Sequence, residues 1–428
     1  MGKIKLEGKA QVTRGNFFAR ILCNLFRFPE EGNDVHLQVD CSHTEDSMYW
    51  NRKVMILVIG GYGNFGKRLA HALLENHDHD LIIAGRSKTK AQIFCKQLEN
   101  IYKKAIEHLA LDVNSPDLVS ILKNLQVDIV VNASGPYQDQ MGNNNYQVAS
   151  ACTETPCHYV DLADARNFVN GFSEALHNDA LAARVMLVTG ASTVPGLSAA
   201  VIDAYRPQFK KLTAINYGIS PANKTERGYG TISSILSYTG KPISTLSNGE
   251  YKNVYGWQDL ERFDFGFPLG KRWMSNCDIP DLDLLPQHYP DLETVRFKAG
   301  LEVTILHYGL WLLSGLSRIG LVKDWSKYTK LLIWLSEWFI NWGTNNGGMF
   351  VRLQGVDLNN QAKEIEWQLI AENGLGANAP IISTELIISR IARKELIFGA
   401  MPCIGLFTLT DFFEIAARWN IYQKENTS

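Results

Sequence analysis

The sequence predicts an α/β protein with a doubly wound parallel sheet of the Rossmann type and an inserted α+β domain. Three observations predict this fold class. An apolar run over residues 54–59 leads into the glycine-rich segment 60–66, which opens a helical pattern. Short apolar runs then alternate with helical patterns to about residue 200, as the βαβ units of a parallel sheet require. After residue 205 apolar and polar residues alternate, which is typical of an antiparallel sheet.

The composition is that of a globular protein without affinity for nucleic acid. The chain has 428 residues, of which 46% are apolar and 20% are charged, and its formal net charge is −2. This length predicts two or three domains. Because the net charge is small and no tract is rich in lysine or arginine, a nucleic acid is not expected as a partner. A small-molecule substrate is expected instead.

The seven cysteines are odd in number and scattered along the chain. This distribution is typical of reduced thiols in the cytosol rather than of a disulfide framework, so a cytoplasmic location is expected. Cys152, Cys157 and His158 could suggest a metal site. Since no second ligand pair lies at zinc spacing, no metal is expected.

The glycine-rich segment carries the spacing G-x-G-x-x-G at Gly61, Gly63 and Gly66. Gly61 is expected to permit the tight turn, Gly63 to let the backbone approach a pyrophosphate, and Gly66 to let helix and strand pack closely. The phosphates would lie on the exposed N–H groups of the helix N-terminus, at Asn64 and Phe65. Because a strand precedes the spacing and a helix and second strand follow it, a dinucleotide site is predicted rather than an ordinary βα turn.

The residues after the second predicted strand, 81–84, select the cofactor. An NAD site usually places a carboxylate here for the ribose hydroxyls, whereas this chain has Arg86, Ser87 and Lys88, with Lys90 close behind. A guanidinium can grip a 2′-phosphate through two hydrogen bonds, and a carboxylate would repel it. NADP is therefore expected, with NAD less favoured. The alternative is that Arg86 is a solvated loop charge.

Further strands of the parallel sheet are expected at 106–111, 128–133, 158–162 and 185–190. Ligands of such sheets bind at the carboxyl ends of the strands. Asp112 is therefore expected near the adenine. Ser134, Gly135 and Pro136 are expected beside the pyrophosphate or the nicotinamide.

Three domain segments are predicted. Residues 1–50 form a partial module of unknown role, 51–205 and 373–428 form the nucleotide-binding domain, and 206–372 form the inserted α+β domain. The alternating residues of 349–353 and 365–371 predict an antiparallel hairpin within the inserted domain.

Residues 303–342 are rich in leucine, isoleucine and tryptophan, and their longest uncharged run has 15 residues. A membrane-spanning helix needs about 20 apolar residues, so no span is predicted. Two interpretations stay open. The segment forms a pair of buried helices, or it forms an amphipathic surface for a lipid, a membrane face or a dimer partner.

The segments 131–137 and 152–161 closely resemble the saccharopine dehydrogenase/reductase family, as do the glycine turn at 60–66 and the sequence Gly-Arg-Ser at 85–87. The resemblance implies a Rossmann domain, an inserted domain for substrate binding and homodimerisation, and nicotinamide-dependent redox chemistry. It also implies hydride transfer to an imine, which makes or breaks a C–N bond next to a carboxylate. Other members of the family handle polyamine precursors or lipid-linked enoyl groups.

Three functions are consistent with this resemblance, since a fold does not determine a substrate. The first is an NADP-dependent oxidoreductase acting at an imine or amine carbon of a small carboxylated substrate. The second is an enoyl or acyl reductase of the same fold, peripherally associated with a membrane through residues 303–342. The third is a non-catalytic NADP-binding protein.

Tyr137, Asp161 and His158 are the candidates for catalysis beside the nicotinamide. The alternative for His158 and Asp161 is structural, in a strand that buries an aromatic side chain and caps a helix. A carboxylated substrate also needs a cationic or polar anchor. Candidates in the inserted domain, each of which could equally be a surface group, are Arg227, Lys271, Arg272, Asn276 and Arg296.

Overall fold

The computed structural model describes residues 53–140 and 146–427, so the predicted module at 1–50 lies outside the described residues. The strands are β1 (Met55–Ile59), β2 (Asp80–Gly85), β3 (Glu107–Ala110), β4 (Ile129–Asn132), β5 (His158–Asp161), β6 (Met186–Thr189), β7 (Phe209–Ser220), β8 (Pro242–Ser247), β9 (Glu250–Tyr255), β10 (Glu261–Asp264), β11 (Lys271–Asn276), β12 (Thr294–Ala299), β13 (Gly347–Asp357), β14 (Ala362–Ala371), β15 (Gly399–Pro402) and β16 (Ile421–Thr427). The α-helices are α1 (Asn64–Asn76), α2 (Lys88–Tyr102), α3 (Leu118–Leu125), α4 (Gln147–Glu154), α5 (Arg166–Ala183), α6 (Ser198–Tyr205), α7 (Tyr229–Ser237), α8 (Asp281–His288), α9 (Thr304–Arg318), α10 (Thr329–Glu337), α11 (Ala379–Ala392) and α12 (Leu409–Ala416).

Seven strands form a parallel sheet in the order β15-β6-β5-β4-β1-β2-β3. The chain adds β2 and β3 on one side of β1 and then crosses to add β4, β5 and β6 on the other side. Helices cover both faces, so β4 and β6 are buried throughout and are apolar along almost their whole length. The predicted doubly wound sheet is confirmed. Its order reverses between β1 and β4, where such sheets open a crevice for ligands.

The second large sheet is mixed, with the order β10-β11-β12-β7-β13-β14-β16. β13 and β14 pair antiparallel, and Val351 lies opposite Trp367. The side chains of Val351 and Trp367 are both fully buried, as the alternation in the sequence requires. The predicted hairpin is therefore present, and the fold class with a second, mixed-sheet domain is confirmed.

The C-terminal segment divides between the two sheets. β15 pairs with β6 in the parallel sheet, whereas β16 pairs with β14 in the mixed sheet. Cross-strand bonds hold β16 there, since Trp367 Nε1 donates to Gln423 Oε1 at 2.8 Å and Tyr422 Oη donates to Glu372 Oε1 at 2.8 Å. The predicted return of all of 373–428 to the nucleotide-binding domain is therefore corrected for residues 421–427.

Residues 303–342, here named the helical lobe, contain α9 and α10. The interpretation as two buried helices is wrong, because these helices bury only the side chains of His307, Ser314 and Thr329. The large apolar side chains of the lobe are mostly exposed. Among the described residues, no helix is both long enough and apolar enough to cross a bilayer.

Candidate active site

The crevice lies at the carboxyl ends of β1 and β4. The chain leaves β1 through Gly60, whose φ is +75° and whose N–H donates to the carbonyl of Ala84 at 2.8 Å. A Cβ at Gly60 would lie 2.7 Å from the carbonyl oxygen of Ala133. The left-handed turn therefore belongs to Gly60, which corrects the prediction that Gly61 supplies it. Gly61 is needed for packing instead, since a Cβ there would meet the Val58 carbonyl at 2.8 Å.

The next glycines bring the start of α1 against this turn. The N–H of Gly63 donates to the carbonyl of Gly60 at 2.8 Å, and α1 begins at Asn64. A Cβ at Gly66 would lie 2.7 Å from the Cα of Gly61, so helix and turn are in backbone contact here. The first turn of α1, which includes Phe65, contains no acidic residue. Its N–H groups therefore suit a pyrophosphate.

Tyr62 connects the glycine turn to the loop after β2. Its hydroxyl accepts a hydrogen bond from the backbone N–H of Ser87 at 2.9 Å. Its ring lies over Gly85, where a Cβ would come within 2.6 Å of the ring. Ser87 then caps the N-terminus of α2, and its side chain accepts from the N–H of Lys90 at 3.4 Å. The loop that carries Arg86 is thus held in place against the phosphate-binding turn.

Arg86, Lys88 and Lys90 are exposed at the carboxyl end of β2. Among the described residues, no acidic side chain forms an ion pair with any of the three. Asp112 is also exposed, at the end of the neighbouring β3, where its carboxylate accepts from the N–H of Asn114 at 3.0 Å. Three unneutralised cations fit the 2′-phosphate of NADP better than the free ribose of NAD.

The loop after β4 forms the other wall of the crevice. Asn132 is buried at the end of β4, and its Oδ1 accepts from both the backbone N–H (3.1 Å) and the hydroxyl (2.5 Å) of Ser134. Helix α7 of the inserted segment packs on this loop. A Cβ at Gly230 would lie 3.2 Å from Gly135 and 3.3 Å from Pro136. The predicted cofactor residues of this loop therefore lie between the parallel sheet and α7.

Two of the three catalytic candidates, Asp161 and Tyr137, are buried in the fold. Asp161 is fully buried, and its Oδ1 accepts from the N–H groups of Ala163 (2.9 Å) and Gly190 (2.8 Å). Burial raises the pKa of Asp161 to about 6. The Tyr137 hydroxyl donates to the Asn132 carbonyl at 2.6 Å, and only 4% of the residue is exposed. Both groups brace the ends of strands and present no reactive atom to the crevice.

His158 lies at the opposite end of the strands from the crevice. It is the first residue of β5 and is aligned with Ile129, the first residue of β4. Its Nδ1 accepts from the N–H of Met186 at 3.0 Å. Because β5 then runs its full length towards the crevice, His158 is removed from the nicotinamide end, and its proposed catalytic role is corrected.

Asp164, three positions after Asp161, is a further carboxyl group at the crevice that was not among the predicted site residues. Its Oδ2 accepts from the hydroxyl of Ser234 at 3.3 Å, and Gln138 Nε2 donates to the same hydroxyl. Burial raises the pKa of Asp164 to about 6. These groups adjoin a cavity of about 210 Å³, which is lined by Gln138, Asp164, Ala165, Arg166, Asn167, Ser237, Tyr238 and Asp278. The sequence does contain this second carboxylate after β5, but its hydrogen-bond partner, Ser234, lies 70 residues away along the chain.

Arg166 closes one side of this cavity. Its guanidinium makes a two-pronged ion pair with Asp283 and a third contact, at 3.1 Å, with Asp278. Its Nη1 also donates to the carbonyl of Ser244 at 2.8 Å. The side chain of Asp278 stays partly exposed to the cavity, and burial raises its pKa. Asp278 and Asp283 neutralise Arg166, whereas no cation among the described residues forms an ion pair with Asp164. The cavity therefore has an acidic character that suits an amine.

The predicted anion anchors are not brought together. Arg272 is buried in an ion pair with Glu302 at 3.1 Å, and Asn276 is bonded to Asp259 at 2.6 Å. Lys271 and Arg296 are exposed on the mixed sheet. Arg227 differs, because it is half-buried and its Nη2 donates to the side-chain oxygen of Asn223 at 3.0 Å.

Comparison with known proteins agrees with this geometry. Residues 56–188 match the model of the saccharopine dehydrogenase NADP binding domain. Carboxyaminopropylagmatine dehydrogenase of Synechocystis sp. is 26% identical over 288 residues, which are 63% of this chain and 68% of that protein. Residues 56–188 therefore carry an NADP-binding domain of the saccharopine dehydrogenase type, and the chain is similar to a dehydrogenase over 288 residues. It is therefore an NAD(P)-dependent enzyme, and NADP is its cofactor.

A solved structure of a family member shares the fold. Apo saccharopine dehydrogenase (L-Glu forming) from Saccharomyces cerevisiae has a TM-score of 0.60 and 14% identity, and the match covers 88% of this chain and 100% of that one. At this identity the likeness is one of fold alone. The prediction of a saccharopine dehydrogenase-like enzyme is confirmed, whereas the interpretation as a non-catalytic protein is not supported.

Proposed function

We propose that this chain catalyses NADP-dependent hydride transfer at an imine or amine carbon of a small carboxylated substrate. The observation that carries the proposal is the acidic cavity at the carboxyl ends of β4 and β5, lined by Asp164 and Asp278. In a doubly wound sheet this is the side of the crevice that the nicotinamide half of a dinucleotide faces. When bound, the cofactor supplies or accepts the hydride.

The residues around the crevice have distinct tasks in this proposal. The turn at 60–66 and the first N–H groups of α1 hold the pyrophosphate, and Arg86 holds the 2′-phosphate. Helix α7 covers the loop at 134–136 and excludes water from the nicotinamide end. Gln138 and Ser234 orient the carboxyl group of Asp164.

Asp164 is proposed as the group that handles the substrate proton. Burial raises the pKa of Asp164 to about 6, so its carboxyl group exchanges a proton readily near neutral pH. Asp278 then faces the amine from the other side of the cavity, where an anion favours the protonated nitrogen. The net negative lining disfavours a purely apolar substrate.

The relatives support an amine substrate with a carboxyl group. The Synechocystis protein is named for carboxyaminopropylagmatine, and the yeast protein for saccharopine in the L-Glu forming direction. Arg227 is the proposed partner of a substrate carboxylate because it is half-buried, its Nη2 donates to the amide oxygen of Asn223, and no acidic side chain among the described residues is in salt-bridge contact with it.

The test is a coupled substrate screen with the purified chain. NADPH oxidation is followed with pairs of a keto acid and an amine, and NADP reduction with carboxylated secondary amines. Turnover of at least one pair that is lost in Asp164→Asn, with NADPH binding retained, supports the proposal. Turnover that persists in Asp164→Asn contradicts the role of this carboxyl group.

A second candidate function is an enoyl or acyl reductase that works at a membrane. The exposed apolar side chains of the helical lobe favour it. An enoyl substrate in the same screen separates the two candidates, because the acidic cavity supports only the first.

Homodimerisation through the inserted domain is also proposed, on the strength of the family resemblance. Sedimentation velocity at micromolar concentration tests it, and a monomer would contradict it. A cytoplasmic location is proposed as well, since all five cysteines among the described residues are free and buried.

A further inference from the structure

We propose that the helical lobe is a docking surface for a bilayer that contains anionic lipids. The proposal concerns residues 303–342 only and does not depend on which substrate the cavity binds. Three observations carry it: the exposure of large apolar side chains, the kind of side chain that is exposed, and the local charge.

The exposure is concentrated in the lobe. Of the twenty large hydrophobic residues exposed among the described residues, twelve lie within residues 303–342. Trp338 is 63% exposed, Trp342 is 68% exposed and Ile319 is 71% exposed. The twelve side chains together offer on the order of 1,000 Å² of apolar surface, whereas one contiguous patch on a monomer reaches roughly 300–600 Å². This concentration of apolar surface in one lobe favours a partner.

The aromatic content of the lobe suits a lipid interface. The lobe contains five of the ten tryptophans of the chain, and four of them are exposed (Trp311, Trp334, Trp338 and Trp342). The ring centroids of Trp334 and Trp338 lie 4.9 Å apart, so the two side chains form one surface. Tryptophan and tyrosine are enriched where a protein meets lipid headgroups, because the ring is apolar and one edge is polar.

A groove joins the two ends of the lobe. Its volume is about 610 Å³, and its lining includes Ile305 and Tyr308 from α9 and Trp342 from the far end of the lobe. The groove shows that these side chains, although distant in sequence, share one continuous surface. A surface of this kind can accept acyl chains at the depth of the headgroups.

The charge of the lobe is opposite to that of the whole chain. The lobe carries four cationic and two anionic side chains, a net charge of +2, whereas the chain has −2. Arg318, Lys323, Lys327 and Lys330 are all exposed. Lysine and arginine beside exposed tryptophan favour anionic headgroups, each cation contributing about 1 kcal/mol near such a surface. A second copy of the lobe offers no such complementarity, because it would present the same cations.

Docking would place the active site near the bilayer. Helix α7 packs on α10 and on the turn at 325–328, and its other side packs on the loop at 134–136. Its C-terminal residue, Ser237, lines the cavity with Tyr238. The lobe and the crevice are therefore separated by the thickness of one helix.

The experiment measures vesicle binding of the full chain. Vesicles of phosphatidylcholine alone are compared with vesicles that contain about a quarter phosphatidylglycerol. The test variant is Trp338→Ser with Trp342→Ser. The matched control is Tyr251→Ser with Phe267→Ser, which removes two aromatic side chains, 57% and 90% exposed, from outside the lobe. NADPH binding of each variant checks that it is folded.

We expect the wild type and the control to bind vesicles with phosphatidylglycerol, and the test variant to bind at least about tenfold more weakly. If the tryptophan variant does not fold, Lys323→Glu with Lys330→Glu leaves the apolar surface intact and should abolish the preference for phosphatidylglycerol. Quenching of wild-type tryptophan fluorescence by brominated lipid gives an independent readout.

Two results overturn the proposal. One is a wild type that binds neither kind of vesicle. If, in addition, the tryptophan variant converts a dimer to a monomer, a second copy of the chain covers the lobe and the proposal is overturned in the same way. The other is a tryptophan variant that binds vesicles as tightly as the wild type.

Discussion

Replacing Arg86 with alanine tests the cofactor assignment at a single charge. Arg86 is exposed, and no acidic side chain among the described residues pairs with it, so its removal leaves no buried charge behind. The loss is therefore confined to the bonds that the guanidinium makes to a 2′-phosphate. Charge-assisted hydrogen bonds contribute about 1.5–3 kcal/mol, which corresponds to a rise of about 10- to 150-fold in the Kd for NADPH.

The assay is a titration with NADPH and with NADH, followed by nicotinamide fluorescence. NADH has no 2′-phosphate, so its Kd should change less than about threefold. Arg296→Ala removes an exposed arginine from the mixed sheet and is the matched control. Equal losses for NADPH and NADH in Arg86→Ala would refute the reasoning, because the side chain would then act on the part that both cofactors share.

The same reasoning extends to Tyr62, which holds the Arg86 loop through its hydroxyl. Tyr62→Phe keeps the ring over Gly85 and removes one hydrogen bond to the N–H of Ser87. The loss of one such bond is about 1 kcal/mol, so NADPH should bind about fivefold more weakly. An unchanged Kd would show that the loop is held without this bond.

The remaining predictions concern packing, proton transfer and pH. Gly66→Ala should destabilise the chain by about 1–3 kcal/mol and abolish NADPH binding, because the new Cβ would meet the backbone of the glycine turn. Urea unfolding measures the change in stability. Gly309→Ala is the control, since nothing lies within 4 Å of its new Cβ. Asp164→Asn should lower kcat by about 10²- to 10⁴-fold and leave the Kd for NADPH unchanged. The control, Asp179→Asn at an exposed position, should change neither quantity. A wild-type kcat in Asp164→Asn would contradict the proton-handling role. Burial raises the pKa of Asp281 from 3.8 to about 6, so the folded state binds the extra proton and this group's contribution to stability falls as pH rises from about 4 to 6. Relative to wild type, Asp281→Asn should therefore gain up to about 3 kcal/mol in the free energy of unfolding between pH 4 and pH 6.5, and a difference that does not vary with pH would contradict this sign.

The parallel sheet could be predicted because its signals are local. Each strand from 54–59 onwards is a short apolar run, and runs of that kind need two covered faces wherever they fold. The spacing of Gly61, Gly63 and Gly66 predicted a phosphate-binding turn for the same reason. The turn itself, however, depends on Gly60, whose close neighbour Ala133 lies 73 residues away in sequence.

The catalytic candidates illustrate what residue type cannot decide. Asp161 and Asp164 are separated by three residues and have the same chemistry. The structure buries Asp161 against the N–H of Gly190, whereas it brings Asp164 to the hydroxyl of Ser234 beside a cavity. Neither partner is near in sequence, so no pattern around residue 160 distinguishes the two carboxylates.

The helical lobe shows the same limit for apolar segments. Its composition is consistent with a buried pair of helices and with an exposed surface, since hydrophobic periodicity reports an apolar face but not what covers that face. The fold decides, because α9 and α10 contribute only polar side chains, such as His307 and Ser314, to the interior.

The sequence by itself determined the parallel sheet, the phosphate-binding turn, the cations that favour NADP and the family resemblance. All of these are encoded over a few consecutive residues, where strand, turn and helix propensities act directly. Only the tertiary structure decided that Gly60 makes the turn, that Asp164 rather than Asp161 or His158 adjoins the cavity, that residues 421–427 join the mixed sheet and that the lobe is exposed. Burial and hydrogen-bond partners depend on residues that are distant along the chain and meet only when it folds.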